Sequence, residues 1–149
     1  MLTIPVMVRV GPWTLVNLAR HPEWTNCERC DTRIKEVWTC VVDATATKAL
    51  ERLDGKPEWL VGSTCGPTLL EVSDAVWKQQ TSSTLRRMNL LARVEALLER
   101  AEAEAVELPK VIRERRTLLL SGEATDKQVR HLGLVVGRWA KTLDKPGPS

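Results

Sequence analysis

The sequence predicts an α+β protein, with a β-hairpin unit over residues 1–80 and a helical hairpin extension over residues 81–149. Three observations predict this fold. Apolar residues alternate with period two at the N-terminus, apolar residues recur at spacings of three and four after Leu85, and all four cysteines lie in the first unit. An apolar fraction of 43% with a charged fraction of 28% indicates a folded globular chain and excludes general disorder.

The first predicted element is an edge strand over residues 2–10. Pro5 favours the edge of a sheet because it has no backbone N–H to donate. Gly11 and Pro12 end the strand, and because Pro is favoured at the first helical position, residues 13–20 are predicted to form a short helix. The alternating apolar residues of the strand are Leu2, Ile4, Val6, Val8 and Val10.

Two more strands are predicted around a helical turn. The strand over residues 33–43 has one apolar face, formed by Ile34, Trp38, Cys40 and Val42. Residues 47–53 form the turn, which Gly55 ends, and a strand over residues 58–63 leads into Cys65. A helix then starts at Gly66-Pro67 and is expected to run through Trp77.

Residues 85–120 are predicted to be mainly helical, because they are rich in Leu, Ala, Glu and Arg. Pro109 is expected to kink or end this helix near Leu108. An apolar stripe at heptad spacing indicates that the helix packs within the chain as part of a helical hairpin, with a coiled-coil dimer as the alternative. The stripe comprises Leu91, Val94, Leu98, Ala101, Ala105, Leu108 and Ile112.

A last helix is predicted to begin at a capping box formed by Thr125 and Gln128 and to end at Pro146-Gly147-Pro148. One of its faces is apolar and the opposite face is basic, which is the pattern of an amphipathic helix. The apolar face comprises Val129, Leu132, Val136, Trp139 and Leu143, and the basic row comprises Lys127, Arg130, Arg138, Lys141 and Lys145.

The charge and the N-terminus bear on partners and location. Residues 1–80 carry 9 Lys/Arg against 10 Asp/Glu, whereas residues 81–149 carry 13 against 9, so attraction to an anionic partner is expected of the C-terminal part. The N-terminal residues lack a basic leader and a cleavage site, and no apolar run reaches the roughly 18 residues of a membrane span. The sequence therefore predicts a cytoplasmic protein without a membrane partner.

Cysteines in a reducing cytoplasm are more often metal ligands than disulfides. Cys27 and Cys30 form a C-x2-C pair that can present two thiolates from one tight turn, and a hairpin with a helix behind it can bring Cys40 and Cys65 to the same ion. The prediction is one structural Zn2+ bound by four thiolates, which leaves no open position for a substrate. His21 in place of Cys40, or no metal at all, are the alternatives.

The stretch from Cys27 to Lys35, followed by Val61-Gly62-Ser63-Thr64-Cys65, resembles a small zinc-binding domain of phage and mobile-element proteins. The resemblance covers roughly residues 24–80 and the last helix. It implies a zinc-stapled hairpin with a ribbon or treble-clef-like fold, a phage or mobile-element origin, and no assigned activity. Trp38 stands where a His is frequent in such domains, and Cys40 is the expected substitute.

The sequence predicts a protein that is not an enzyme and has no small-molecule substrate. His21 and His131 lie in different segments, and neither a Gly-rich phosphate loop nor an acidic cluster beside the cysteines is present. The expected function is that of a zinc-binding adaptor or modulator of a host protein or larger assembly, because the heptad stripe and Leu118-Leu119-Leu120 offer apolar surface. The alternative is a zinc-ribbon protein that binds DNA or RNA through the basic row.

Overall fold

A computed structural model of the protein describes residues 1–144 and shows an α+β fold. None of the described helices combines the length and the apolar character that a membrane crossing requires. The elements in chain order are β1 Leu2–Val10, β2 Trp13–Asn26, β3 Arg33–Val42, α1 Thr47–Arg52, β4 Glu58–Val61, α2 Cys65–Leu70, α3 Asp74–Ala103, α4 Lys110–Ser121 and α5 Asp126–Asp144.

The four strands form one antiparallel sheet in the order β1-β2-β3-β4. β1 lies at one edge, so the edge strand predicted from Pro5 is confirmed. The strands predicted over residues 33–43 and 58–63 are β3 and β4, and the helical turn between them is α1. The core beside the sheet contains Ile4, Trp13, Leu15, Leu18, Trp38, Cys40, Val42 and Val61, all nearly or fully buried.

The prediction of a short helix over residues 13–20 is wrong, because this segment belongs to β2. The residue pairing of β2 with β3 shifts between Leu15 and Asn17, so the strand carries a β-bulge there. In a regular strand the buried side chain after Leu15 would be two positions later. Because of the extra residue it is Leu18, three positions later. A buried spacing of three is typical of a helix, and for this reason the alternation was not visible in the sequence.

The helix predicted from Gly66 through Trp77 is divided into α2 and the start of α3. Glu71 adopts a left-handed conformation with φ 57° and ends α2. Ser73 then caps α3, since its hydroxyl accepts a hydrogen bond of 3.2 Å from the backbone N–H of Val76. Trp77 lies one turn into α3, and its ring packs edge-on against Trp38 with centroids 5.4 Å apart.

The chain divides into two compact units, Met1–Leu85 and Arg86–Ser149. This boundary and the division predicted at residue 80 both fall within α3. α3 ends at Ala103, before the end near Leu108 that was predicted from Pro109. The helix ends there because Ala105 adopts φ 55° and the Val106 N–H donates to the Ala101 carbonyl at 2.8 Å. Pro109 instead precedes the first residue of α4.

The apolar stripe contributes to the core of the second unit. Leu91, Val94, Ala101 and Ile112 are buried, and Leu97 is more deeply buried than the stripe residue Leu98. Ion pairs of Arg116 with Glu95, Arg100 with Asp144 and Arg87 with Asp126 join α3 to α4 and α5. The unit is therefore built from three helical segments, the C-terminal part of α3 together with the α4–α5 hairpin.

The predicted capping box at the start of α5 is confirmed. The Gln128 N–H donates to the Thr125 hydroxyl at 3.2 Å, and the Thr125 N–H donates to the Gln128 side-chain oxygen at 3.0 Å. Leu132 and Val136 are buried, so the apolar face of α5 packs inward. The predicted end at Pro146-Gly147-Pro148 lies outside the described residues.

A three-cysteine candidate metal centre

Cys27 and Cys30 lie in the tight loop between β2 and β3. The Cys27 N–H donates to the Thr32 carbonyl, and the Asp31 N–H donates to the Cys27 carbonyl, both at 2.8 Å. Asp31 closes the loop with φ 60°, a left-handed conformation that Asp tolerates better than most residues. These backbone bonds bring both thiols of the C-x2-C pair to the same side of one turn.

Cys65 reaches the same place from the other side of the hairpin, as the first residue of α2. The Gly66 N–H donates to the Gly62 carbonyl at 3.0 Å, which forms a turn just before the helix. Gly66 is in contact with the Trp77 ring so closely that any Cβ at this position would overlap it. The backbone at Cys65 is therefore fixed by packing of the first turn of α3.

Glu28 connects the two cysteine-bearing segments. Its backbone N–H donates to the Leu60 carbonyl at 2.9 Å, and its carboxylate accepts a hydrogen bond of 2.6 Å from the Leu60 N–H. Lys56 Nζ lies 3.3 Å from the same carboxylate oxygen. The loop that carries Cys27 and Cys30 is thus bound to β4, which leads to Cys65.

The sulfur atoms of Cys27, Cys30 and Cys65 all lie within 4.8 Å of one another. Cys27 and Cys65 are buried, whereas Cys30 is exposed. Three thiols at this separation can hold a metal ion, and the group comes from two segments more than thirty residues apart. Three of the four predicted ligands are therefore brought together.

The protonation of these thiols differs. Hydrogen bonds from the side chain and backbone of Thr32 lower the pKa of Cys30 to about 6. Burial, with the hydrogen bond to Cys30, raises the pKa of Cys65 to about 11, and the Arg29 guanidinium at 3.6 Å from its sulfur opposes that rise. Because a metal ion binds the thiolate form, the hydrogen bonds from Thr32 favour binding at Cys30, whereas burial opposes binding at Cys65.

Cys40, the fourth predicted ligand, does not lie in this group. It is in the middle of β3, opposite Leu15 on β2 and Trp59 on β4, and is fully buried. At about 3.4 Å per residue, the strand carries it on the order of 20 Å from the loop between β2 and β3. Burial raises the pKa of its thiol to about 12, so it stays a neutral core residue.

His21, the predicted alternative to Cys40, also lies outside the group, within β2. In the part of the chain that the structure describes, no further His, Cys, Asp or Glu joins the three cysteines. The closed four-ligand site expected from the sequence is therefore a three-thiol group in the structure.

A cleft of about 370 Å³ opens beside the three cysteines. Trp24 lines it and is 55% exposed, with the Arg33 guanidinium carbon 5.4 Å and Lys35 Nζ 4.8 Å from its ring centroid. The cleft was not predicted from the sequence, because Trp24 and Arg33 become neighbours only when β2 pairs with β3. A prediction of residues 13–26 as a strand would have placed these two residues side by side.

The basic row on α5 has the exposure expected of it. Lys127, Arg130, Arg138 and Lys141 are all exposed, and Lys145 lies outside the described residues. By contrast, the predicted apolar surface at Leu118-Leu119-Leu120 is largely used in packing, since Leu119 is buried and its two neighbours are half-buried.

A scan against protein-family models, a search of curated proteins and a search of solved structures each give no match.

Proposed function

We propose that the protein is a non-enzymatic zinc-binding module, in which Cys27, Cys30 and Cys65 bind one structural Zn2+. The observation that carries the proposal is the convergence of three sulfur atoms within 4.8 Å from two separate segments. Thiolate is the ligand that zinc prefers in structural sites. Zn–S bonds of about 2.3 Å in a tetrahedron place sulfurs about 3.8 Å apart, so the group needs to contract by only about 1 Å.

The charge around the group also suits zinc. Three thiolates and one Zn2+ carry a net charge of −1, and the Arg29 guanidinium at 3.6 Å from the Cys65 sulfur offsets it. A closed structural site needs a fourth ligand, which would come from outside this group of three cysteines. The role of the ion would be to hold the β2–β3 loop against the start of α2.

The partner that we propose for this module is a nucleic acid. The protein partner expected from the sequence depended on the heptad stripe and on Leu118-Leu119-Leu120, and most of these side chains pack within the chain. The basic row has no such internal role, because its four described members point away from the buried face of α5. Exposed cations on one helix face suit a phosphate backbone.

Zinc content tests the metal proposal. Purified protein should contain close to one zinc ion per chain, and Cys27→Ser or Cys65→Ser should lose it and destabilise the sheet, since metal binding is coupled to folding. Cys40→Ala is the matched control and should keep its zinc. Folded wild-type protein without zinc, or zinc loss in Cys40→Ala with retention in Cys27→Ser, would contradict the proposal.

Salt dependence tests the nucleic-acid proposal. Each phosphate neutralised on a duplex contributes about −0.9 to the slope of log affinity against log salt, so Arg138→Ala with Lys141→Ala should reduce the slope by about two. Lys110→Ala with Arg113→Ala removes the same charge from exposed positions of α4 and is the control. If wild-type protein binds neither DNA nor RNA in a mobility assay at low salt, the nucleic-acid proposal is wrong, and the basic row is a solubilising face or a docking patch for an acidic protein surface.

A further inference from the structure

We propose that the cleft beside Cys27, Cys30 and Cys65 binds single-stranded nucleic acid, with a base stacked on Trp24 and the adjacent phosphates contacted by Arg33 and Lys35. The inference rests on the proposed function in so far as the partner is a nucleic acid. It concerns a different surface from the basic row of α5, and residues of the first unit only.

Trp24 is the first observation. Five other tryptophans of the chain are more buried than Trp24, which is 55% exposed at the end of β2 next to the cysteine loop. An exposed indole on a folded hairpin offers a flat apolar surface on which a base can stack, whatever the base. A rigid support strengthens such a contact, and the loop next to Trp24 is held by the Glu28 bonds to β4.

The charges of the cleft are the second observation. Arg33 and Lys35 lie over the Trp24 ring, 5.4 Å and 4.8 Å from its centroid, so a base that stacks there would take their place and leave both cations beside it for the phosphates. Among the described residues neither makes an ion pair. Glu36 is the acidic residue of the lining, and it is paired with Arg20 at 3.5 Å. The cleft therefore offers two cations to a phosphate. The exposed carboxylates of Glu23 and Asp31, nearby in the chain, repel a phosphate and weaken its attraction to these cations.

The shape of the cleft favours a single strand over a duplex. A volume of about 370 Å³ lies at the small end of ligand pockets, and in a duplex the base faces are already stacked and cannot reach an indole. Hydroxyl groups of Ser63 and Thr64 also line the cleft and can hydrogen-bond to an unpaired base edge or a phosphate. An unstacked nucleotide uses all three kinds of group, which neither a duplex nor an apolar peptide does.

The test measures fluorescence anisotropy of labelled 12-nucleotide dT and U oligomers and of a 12-base-pair duplex, with the zinc-loaded 149-residue chain. Trp24→Ala should weaken single-strand binding about tenfold, the magnitude of one lost stacking contact, while duplex affinity changes less than twofold. Trp24→Phe should restore most of the single-strand affinity. Trp59→Ala is the matched control, because Trp59 also carries a lysine over its ring, Lys56 at 4.4 Å, but lies outside the cleft.

Each outcome separates the two proposals. Equal single-strand affinity of Trp24→Ala and wild type, with weakened binding in the Arg138→Ala, Lys141→Ala pair, would overturn the cleft assignment and leave the proposed function standing. Loss of single-strand binding in Trp24→Ala alone supports the cleft and removes the basic row from that contact. Failure of both probes to bind wild-type protein at low salt would overturn both. Zinc content and thermal unfolding of each variant verify that its fold is intact.

Discussion

Cys30 and Cys40 show how position alone gives two thiols opposite chemistry. Cys30 is exposed in a loop, where hydrogen bonds from Thr32 lower the pKa of its thiol to about 6. Cys40 is enclosed between β2 and β4, where burial raises the pKa of its thiol to about 12. Desolvation disfavours a thiolate, whereas donated hydrogen bonds stabilise it. A raised pKa alone does not exclude a ligand, since burial also raises the pKa of Cys65; Cys40 is excluded because it lies outside the group of three sulfurs.

The buried thiol of Cys40 makes a prediction about alkaline stability. A group whose pKa is higher in the folded state stabilises the fold fully below its unfolded pKa of 9.0, and this contribution is lost as pH rises toward the folded pKa of about 12. The stability of wild type relative to Cys40→Val should therefore fall by about 2 kcal/mol between pH 9 and pH 11. Urea unfolding of both proteins at the two pH values measures this change. A constant difference would mean that Cys40 ionises as easily in the folded protein as in the unfolded chain.

The first turns of α2 and α3 support the candidate site through one close contact. Gly66 packs against the Trp77 ring, and Trp77 packs edge-on against the buried Trp38 of β3. No side chain other than that of Gly fits between Cys65 and this ring. The position of the Cys65 sulfur thus depends on how two helices and a strand pack, and not only on the β4–α2 loop.

Gly66→Ala should therefore destabilise the protein by about 1–3 kcal/mol through overpacking and weaken zinc binding at the same time. Gly133→Ala is the control, because a Cβ at Gly133 in α5 meets nothing within 4 Å and Ala is favoured over Gly inside a helix. Thermal unfolding and competition with a zinc chelator measure the two effects. A Gly66→Ala protein with wild-type unfolding temperature and zinc affinity would show that Trp77 moves aside freely.

Elements with a regular pattern in the sequence were predictable, even β1, whose pairing is irregular between Pro5 and Val8; elements without such a pattern were not. β1, β3 and the capped start of α5 follow patterns of period two or of capping chemistry, and the structure confirms them. β2 was missed because its bulge disguises the alternation. The division between α2 and α3 was missed because Glu71 adopts a left-handed conformation for which its residue type gives no signal.

For the whole molecule, the sequence located the candidate metal centre but not its full composition. Cys27, Cys30 and Cys65 adjoin loops, and their spacing around a hairpin suffices to predict that they meet. Cys40 has an equally suggestive place in the sequence, but its strand pairing directs it into the core. The proximity of Trp24 to Arg33 and Lys35 can be predicted only from the pairing of β2 with β3. Because residues 13–20 of β2 were predicted as a helix, the cleft that these residues line was not predicted.

The two outer strands of the sheet also bear on self-association. An outer strand exposes backbone groups that can recruit another chain and start aggregation. On β1, Pro5 has no N–H to donate, and the pairing with β2 is irregular between Pro5 and Val8, where Met7 has φ 54°. On β4, the backbone N–H and carbonyl of Leu60 are both hydrogen-bonded to Glu28. Pro5→Val combined with Glu28→Ala should therefore increase concentration-dependent scattering relative to wild type, whereas Lys110→Ala should not. Unchanged scattering would mean that other features keep the outer strands apart. Increased scattering would show that Glu28, which also holds the cysteine loop against β4, acts as a barrier to fibre formation.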